Sequence, residues 1–185
     1  MVERLIILDR DGVINEDSDA YVKSPEEWVP LPGSIEALSR LWHGGYRICV
    51  VSNQSGLARG LFGLAELNAM HKKLRDLLAA QGAQLEMIAF CPHLPSDGCN
   101  CRKPLPGLLF SVGKRLGLSL VGVPFIGDSI GDVKAARAAQ MVPWLVRTGK
   151  GERTLARELA LLEDVPVFPD LAGAVDHLLA FGPPP

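Results

Sequence analysis

The sequence lacks the features that mark membrane proteins and nucleic-acid-binding proteins. No apolar stretch approaches the roughly 20 residues that a membrane-spanning helix requires. The 19 Lys and Arg residues are balanced by 21 Asp and Glu residues, and the net charge of −2 provides no basic field for a polyanionic backbone. Met1 is followed by a short apolar run at residues 5–8, which is far shorter than the apolar region of a secretory leader. We therefore expect a cytosolic protein that binds neither membranes nor nucleic acids.

Cysteine is also scarce, with four residues in a chain of 185. In a reducing compartment, such cysteines serve more often as metal ligands or free thiols than as disulfides. Hydrophobic residues make up 48% of the sequence and charged residues 22%, which is typical of a globular protein. The length favours one compact domain over residues 1–181, followed by a flexible tail at residues 182–185, and we expect a monomer.

Short apolar runs alternate with helical periodicity along most of the chain. Alternation of this kind predicts a central parallel sheet with helices on both faces, a three-layer α/β fold of the Rossmann type. The predicted strands lie at residues 5–8, 47–51, 85–90, 123–126 and 142–146. The first predicted helix begins at residue 34, and the other predicted helices cover residues 64–80, 106–116, 131–139, 152–162 and 171–179.

Polar residues directly follow three of these predicted strands. Asp9 and Asp11 follow the first strand, residues 52–54 follow the second, and Asp128 follows the fourth. In open parallel sheets, ligands bind beyond the carboxyl ends of the strands. The pattern therefore predicts that these side chains share one pocket.

Two aspartates separated by one residue suit phosphoryl transfer, which needs two different acids. One carboxylate must be ionised to attack phosphorus, and the other must hold a proton for the leaving oxygen. A nearby divalent cation would favour ionised Asp9, whereas Asp11, farther from the metal, would keep its proton. Gly12 permits the tight turn that follows. Aspartates at a solvated strand end are equally common without any function, so this motif alone leaves both interpretations open.

The other polar motifs are ambiguous when each is taken alone. The stretch at 52–56 can bind phosphate oxygens through a hydroxyl and backbone N–H groups, but it also fits a polar loop. Arg102 and Lys103 can stabilise a transferring phosphoryl group, although such pairs are usually solvated. Asp128 is a candidate magnesium ligand. Asp132 fits a further ligand, a hydrogen-bond acceptor behind the ligands or a charge at a helix N-terminus, and we favour one of the last two roles.

Taken together, the motifs carry a family resemblance. Their order along the chain is DxDG from Asp9, SNQ from Ser52, RKP from Arg102 and GD from Gly127. This ordered set resembles the four motifs of the haloacid dehalogenase superfamily. It is most similar to the bacterial D-glycero-D-manno-heptose-1,7-bisphosphate 7-phosphatases and their histidinol-phosphate phosphatase relatives, from residue 5 to about residue 149.

The resemblance implies a role for each matching residue. Asp9 is expected to be the nucleophile that forms an aspartyl-phosphate, and Asp11 the general acid that later activates water. Asp9, the backbone carbonyl of Asp11 and Asp128 are expected to hold Mg²⁺. Ser52 and Lys103 are expected to stabilise the phosphoryl group. An acid at position 11 favours a phosphatase over a dehalogenase, which lacks it.

A cluster of three cysteines and one histidine lies immediately before the Arg-Lys pair. Three thiolates and one imidazole form a closed tetrahedral set that suits structural Zn²⁺. The expected ligands are Cys91, His93, Cys99 and Cys101. Zinc would make the loop rigid and so orient the cations that follow it. The alternative is that these are free cysteines in a loop. The heptose-bisphosphate phosphatases that this sequence resembles carry such a zinc loop.

The substrate pocket is expected to be open and covered only by loops. About 40 residues separate Asp11 from Ser52 and about 50 separate Ser52 from Arg102, intervals that the predicted helices and strands already fill. Arg59 and Arg102 are candidates to bind a second phosphate. The remaining candidates for substrate binding are Asp17, Ser18, Asp19, Asn53, Gln54, Ser55 and Ser129. Each loop acid is equally compatible with a solvated role.

The leading hypothesis is a magnesium-dependent phosphatase for the 7-phosphate of a heptose 1,7-bisphosphate. It would act in the synthesis of ADP- or GDP-heptose and of the lipopolysaccharide core. The motif at 55–60 is similar to the heptose-bisphosphate group and favours this substrate. A histidinol-phosphate phosphatase is the alternative. A phosphatase for nucleic-acid ends and a non-catalytic zinc module fit less well, because the first needs a basic groove and the second leaves the ordered acids unexplained.

Overall fold

The computed structural model of the protein describes residues 4–182, and residues 183–185 of the predicted flexible tail lie outside them. The strands are β1 (Leu5–Leu8), β2 (Arg47–Asn53), β3 (Met87–Cys91), β4 (Pro124–Gly127), β5 (Val142–Val146) and β6 (Val167–Phe168). The helices are α1 (Ser34–His43), α2 (Leu64–Ala79), α3 (Gly107–Leu116), α4 (Ile130–Ala138), α5 (Gly151–Arg157) and α6 (Leu171–Phe181). All paired strands are parallel, and the sheet order is β3-β2-β1-β4-β5-β6.

The predicted three-layer α/β fold is confirmed, with two differences. The sheet has a sixth strand, β6, which the prediction missed because two residues between Pro166 and Pro169 are too few to show a period. The helix predicted over 152–162 ends at Arg157, and a 3-10 turn follows it. This break allows Leu162 to pack into a small core with Val165 and β5.

The alternation of side chains along the strands builds a core on each face of the sheet. Ile6 and Leu8 of β1 join the core under α1, α2 and α6, whereas Leu5 and Ile7 join the core under α3 and α4. Both faces are covered, so the strands carry apolar residues in succession without polar alternation. No helix within residues 4–182 combines the length and apolar character that a membrane span requires.

The strand register aligns the residues that follow β1, β2 and β4. Leu8 lies opposite Val50 on one side and Ile126 on the other. β1 is the point at which the strand order reverses, and a crevice forms at such a point in open parallel sheets. Among the described residues, the intervals after β1 and β2 are filled by α1 and α2, which pack on the sheet, so no second folded unit covers the crevice.

Candidate active site

An open pocket of about 380 Å³ lies at the carboxyl end of the sheet. Every residue that the sequence indicated for catalysis, magnesium binding or substrate binding lines this pocket, with the exception of Arg59. Arg59 is exposed, and its guanidinium lies 5.9 Å from the centre of the Tyr21 ring, which does line the pocket. The predicted convergence of separate stretches of chain is therefore what the structure shows.

Three carboxylates meet at the base of the pocket. Asp9, Asp128 and Asp132 each place one oxygen within 4.8 Å of the others. Burial raises the pKa of Asp9 to about 7, although the Lys103 ammonium opposes this rise. Burial, with the neighbouring Asp132 and Asp9 carboxylates, raises the pKa of Asp128 well above its usual range. Oxygen ligands that repel one another in this way fit a hard divalent cation.

The Asp128 carboxylate is enclosed by backbone. The Lys150 N–H donates to Asp128 Oδ2 at 2.7 Å, and the Thr154 hydroxyl donates to the Asp128 carbonyl at 3.0 Å. Gly12 and Gly149 pack against the same carboxylate with φ of 81° and 58°. A Cβ atom at either glycine would lie 2.0 Å or 2.2 Å from Asp128 Oδ2, so no larger residue fits without moving the acid.

Lys103 connects two of the acids to the sheet. Its ammonium lies 2.9 Å from Asp9 Oδ1 and 2.6 Å from Asp132 Oδ1, and it donates to the Val51 carbonyl at 3.0 Å. Burial would lower the pKa of Lys103, but the Asp132 and Asp9 carboxylates outweigh it and raise the pKa above its usual value. The Asn53 side chain holds the backbone of Lys103 on both sides, donating to its carbonyl and accepting from its N–H.

Asp132 is shared between the pocket and α4. Ser129 is the N-cap of α4, and its N–H and hydroxyl donate to Asp132 Oδ2 at 3.0 Å and 2.6 Å. The other Asp132 oxygen pairs with Lys103. Asp132 thus lies in the first turn of α4, and one of its oxygens is also within 4.8 Å of the Asp9 and Asp128 carboxylates, so this position is compatible with each of the three predicted roles. Ser129 itself is engaged in the cap.

Asp11 is surrounded by donors. Arg10, Asn15 and Gln54 all donate hydrogen bonds to its carboxylate. Burial would raise the pKa of Asp11, but the Arg10 charge and these hydrogen bonds lower it below its usual value. These contacts favour the ionised form of Asp11, so its predicted role as a proton donor requires that it be protonated when the substrate binds. The inward turn of Arg10, which provides most of these contacts, is not visible in the sequence. Gln54 also donates to the Ser52 hydroxyl at 2.7 Å.

The two loop acids predicted to bind a sugar already have cationic partners. Asp17 lies 2.9 Å from the Lys150 ammonium, and Asp19 accepts two hydrogen bonds from Arg153 at 3.1 Å and 3.2 Å. These pairs attach the loop after β1 to the start of α5. Sequence reasoning missed Arg10, Gly149, Lys150 and Tyr21. For Gly149 and Lys150 a usable signal existed, because they follow the fifth strand as the known motifs follow the others.

The predicted zinc ligands also come together. The Cys91 sulfur lies 3.3 Å from the Cys101 sulfur and 3.7 Å from the Cys99 sulfur, and His93 Nδ1 lies 3.2 Å from the Cys101 sulfur. A tetrahedral zinc centre with Zn–S bonds of about 2.3 Å would place its sulfurs about 3.8 Å apart. The four donors therefore fit a zinc ion, and the chain from Cys101 leads directly to Lys103.

Comparison with known proteins adds a family context. The HAD-hydrolase-like family profile matches residues 100–174. A D-glycero-beta-D-manno-heptose-1,7-bisphosphate 7-phosphatase of Pseudomonas aeruginosa is 53% identical over 179 residues, which cover 97% of this chain and 99% of that protein. The enzyme of the same name from Bordetella bronchiseptica is 52% identical over 176 residues, which cover 95% of this chain and 98% of that protein.

Solved structures show the same relationship. The D,D-heptose 1,7-bisphosphate phosphatase of B. bronchiseptica, in complex with magnesium and phosphate, superimposes with a TM-score of 0.93 at 51% identity. The match covers 96% of this chain and 98% of that one. The corresponding phosphatase of Burkholderia thailandensis gives a TM-score of 0.76 at 39% identity, covering 96% and 99% of the two chains.

Proposed function

Because the chain belongs to the D-glycero-beta-D-manno-heptose-1,7-bisphosphate 7-phosphatase family of HAD-like hydrolases, we propose that it removes the 7-phosphate of this sugar bisphosphate. The observation that carries the proposal is the meeting of Asp9, Asp11, Lys103 and Asp128 in one pocket. Those side chains provide a nucleophile, an acid, a fixed cation and a metal ligand. The enzyme would act before nucleotide activation of the heptose, and we expect a monomer.

In the first step, Asp9 attacks the phosphorus atom of the substrate. Its Oδ1 accepts from the Arg10 N–H at 2.7 Å and pairs with Lys103, so the described partners leave Oδ2 as the attacking oxygen. The new bond joins Oδ2 to phosphorus while the bond from phosphorus to the sugar oxygen breaks. Asp11 delivers a proton to that oxygen, and the Lys103 ammonium offsets the charge on the phosphoryl group.

In the second step, water releases the phosphate from Asp9. Asp11, now ionised, accepts a proton from the water as the water oxygen attacks phosphorus. The Oδ2–phosphorus bond breaks, and Asp9 returns to a free carboxylate. The partners of Asp11 suit this step, since Arg10, Asn15 and Gln54 all favour the ionised form that acts as a base.

A magnesium ion fits the same pocket. Asp9, Asp128 and the backbone carbonyl of Asp11 would hold it, and the bound ion would neutralise charge on the phosphoryl oxygens. The convergence of buried carboxylates supports this assignment. The magnesium and phosphate complex of the B. bronchiseptica phosphatase, which is 51% identical, supports it as well.

We also assign Zn²⁺ to Cys91, His93, Cys99 and Cys101, as a structural ion that holds the loop before Lys103. Removing it should expose residues 91–103 to proteolysis and leave the sheet folded. Elemental analysis of Cys101→Ser and of Cys49→Ala tests the assignment, because Cys49 is buried in the core beneath α3 and α4. Loss of zinc only from Cys101→Ser supports the site. Purified wild type without zinc would contradict it.

Arg102 is the proposed partner of the second phosphate, because it lines the pocket and Arg59 does not. The Arg102 guanidinium is held toward the zinc loop through the His93 carbonyl at 3.4 Å, within reach of a ligand in the same pocket. The relatives' names specify the β anomer, which we propose as the preferred form. No observation on the described residues favours histidinol phosphate.

Steady-state rates on a substrate panel test the proposed function. The panel comprises the α and β anomers of the heptose 1,7-bisphosphate, a hexose bisphosphate and histidinol phosphate, each assayed with Mg²⁺. We expect the highest kcat/KM for the β-heptose bisphosphate and no turnover by Asp9→Asn. A hundredfold preference for histidinol phosphate would contradict the substrate. Full activity of a folded Asp9→Asn variant would contradict the mechanism.

A further inference from the structure

One buried charge beside the active site, the guanidinium of Arg10, touches no reacting atom in the steps described above. The Arg10 side chain is 1% exposed, although it lies between two pocket residues, Asp9 and Asp11. A guanidinium remains charged at every ordinary pH and gives up strong hydration when it is buried. The contacts that it makes in the protein must therefore account for its position.

All strong contacts of the Arg10 guanidinium converge on the Asp11 carboxylate. Nε donates to Oδ1 at 3.1 Å, and Nη2 donates to Oδ1 at 2.8 Å and to Oδ2 at 3.0 Å. A planar fork that engages both oxygens fixes the plane of a carboxylate, which a single-point cation does not do. Arg10 thus restricts rotation of the group that must reach the leaving oxygen.

The Arg10 guanidinium also contacts a buried residue of α2, His71. Arg10 Nη1 lies 3.4 Å from Nε2 of His71, whose side chain is buried and packs against Phe90 at a ring distance of 6.0 Å. Since a guanidinium only donates, His71 Nε2 must be the acceptor in this contact. The Arg10 guanidinium therefore contacts both Asp11, in the loop after β1, and His71, in α2.

A purely stabilising role explains this arrangement poorly. Buried ion pairs contribute little net stability, and well-packed apolar side chains of similar volume often serve as well. The orientation of Asp11 is the property that an apolar residue could not supply. We propose that Arg10 is a positioning residue, which orients the Asp11 carboxyl group toward the leaving oxygen and is held in place by His71. The proposal rests on the proposed function only in requiring a phosphatase with Asp11 as its acid.

The dependence of kcat/KM on the leaving group separates positioning from stability. This parameter covers the steps up to departure of the alcohol, so it isolates the first half of the reaction. An alkoxide needs a proton in order to leave, whereas 4-nitrophenolate leaves without one. For Arg10→Met we expect a loss of about 10²-fold with an alkyl phosphate and less than about fivefold with 4-nitrophenyl phosphate. Arg10→Lys should fall between Arg10→Met and wild type.

Three further variants complete the test. Asp11→Asn should show the same selective loss, and Arg10→Met in the Asp11→Asn background should add no more than about threefold, since both changes act on one group. Val165→Ala is the matched control, because it opens the small core around β5 without touching Asp11. It should lower thermal stability and change both esters equally.

Equal losses on the two esters in folded Arg10→Met, or multiplicative losses in the double variant, would overturn the role of Arg10. If Arg10→Met does not fold, His71→Leu gives the second measurement, with a smaller loss in the same selective pattern. Equal effects of His71→Leu on both esters would also overturn the proposal. The alkyl phosphate in these assays is the heptose 1,7-bisphosphate itself. A wild-type enzyme that hydrolyses neither this ester nor 4-nitrophenyl phosphate would instead contradict the proposed function and remove the acid that Arg10 is proposed to orient.

Discussion

The floor and the rim of the pocket are built from different interactions. The floor is fixed by backbone donors, glycine contacts and buried ion pairs, and it consists of Asp9, Asp11, Lys103 and Asp128. The rim is held by two ion pairs that join the loop after β1 to the start of α5, and it consists of Asp17, Asp19, Lys150 and Arg153. The Asp17 side chain is only 12% exposed. In the pair of Asp19 and Arg153 both side chains are more than half exposed.

This difference separates catalysis from substrate choice. Each floor residue has two or more independent partners, so a single change there disturbs several charges that water cannot screen. An exposed ion pair such as Asp19–Arg153 usually contributes only about 0–1 kcal/mol, so this part of the rim can change without unfolding the protein. We therefore expect floor substitutions to lower kcat and rim substitutions to alter KM.

The largest effect is expected for Asp128→Asn at the floor. The amide keeps an acceptor for the Lys150 N–H but loses the charge that would bind Mg²⁺, so kcat should fall by about 10³-fold or more. Turnover measured against Mg²⁺ concentration checks this value. The control is Asp164→Asn, an exposed acid paired with Arg137, which should leave the rate unchanged. A loss below about tenfold for Asp128→Asn would contradict its role.

A smaller loss is expected when the glycine cradle is filled. In Gly149→Ala the new Cβ would lie 2.2 Å from Asp128 Oδ2, so the carboxylate must move and Mg²⁺ affinity should fall about 10–100-fold. Isothermal titration with Mg²⁺ measures the change. Gly117→Ala is the matched control, because it has φ of 69° with no atom near its Cβ. Equal Mg²⁺ affinities of the two variants would show that the cradle does not position Asp128.

The buried His71 side chain, which contacts Arg10, should make the free energy of unfolding depend on pH. Burial lowers the pKa of His71 to about 4, and the positive charges of Arg10 and Arg75 act in the same direction. In the unfolded chain the His71 imidazole binds a proton near pH 6.5. The contribution of neutral His71 to the free energy of unfolding is therefore complete above that pH and is lost as the pH falls toward 4. The loss between pH 7.5 and 4.5 should be roughly 2–3 kcal/mol.

Urea unfolding of wild type and of His71→Gln at both pH values measures this contribution. The variant removes the titrating group but leaves the other acids in place, so the difference between the two proteins isolates His71. We expect the variant to lose less stability on acidification. Parallel losses in the two proteins would show that His71 is protonated as readily in the folded state as in the unfolded chain.

The smallest effect is expected at the rim. Arg153→Ala removes the partner of Asp19, an exposed pair, and should change the free energy of unfolding by less than about 1 kcal/mol. KM for the bisphosphate should rise a few-fold with kcat unchanged, because the loop after β1 is less firmly held. Arg137→Ala is a control that removes an exposed pair far from the pocket. A fall in kcat in Arg153→Ala alone would break the division between floor and rim.

The order of elements could be predicted from the sequence because each long element shows a clear period. The apolar runs of β1, β2 and β5 and the spaced leucines of α2 are local signals. β6 and the break after Arg157 could not be predicted, since both depend on tertiary packing. Leu162 reaches its core only because the helix ends early.

The site was predictable where residues directly follow strands, and not where distant side chains meet. Asp9 and Asp128 could be assigned in this way. The inward turn of Arg10 could not, because its partner His71 comes from α2, whose helical period gives no sign of a role in the pocket. The ion pair of Asp17 with Lys150 likewise depends on where the loop after β1 meets α5, which no local pattern reports.

The central claim is that Asp9 becomes covalently phosphorylated. The most direct measurement is to quench the enzyme with acid during turnover, reduce the acyl-phosphate with borohydride and locate the product by peptide mass spectrometry. We predict that the reduced residue is at position 9, and that Asp9→Asn contains no reduced residue. Reduction at another carboxylate, or turnover of the wild type with no reduced residue at any time point, would contradict the account.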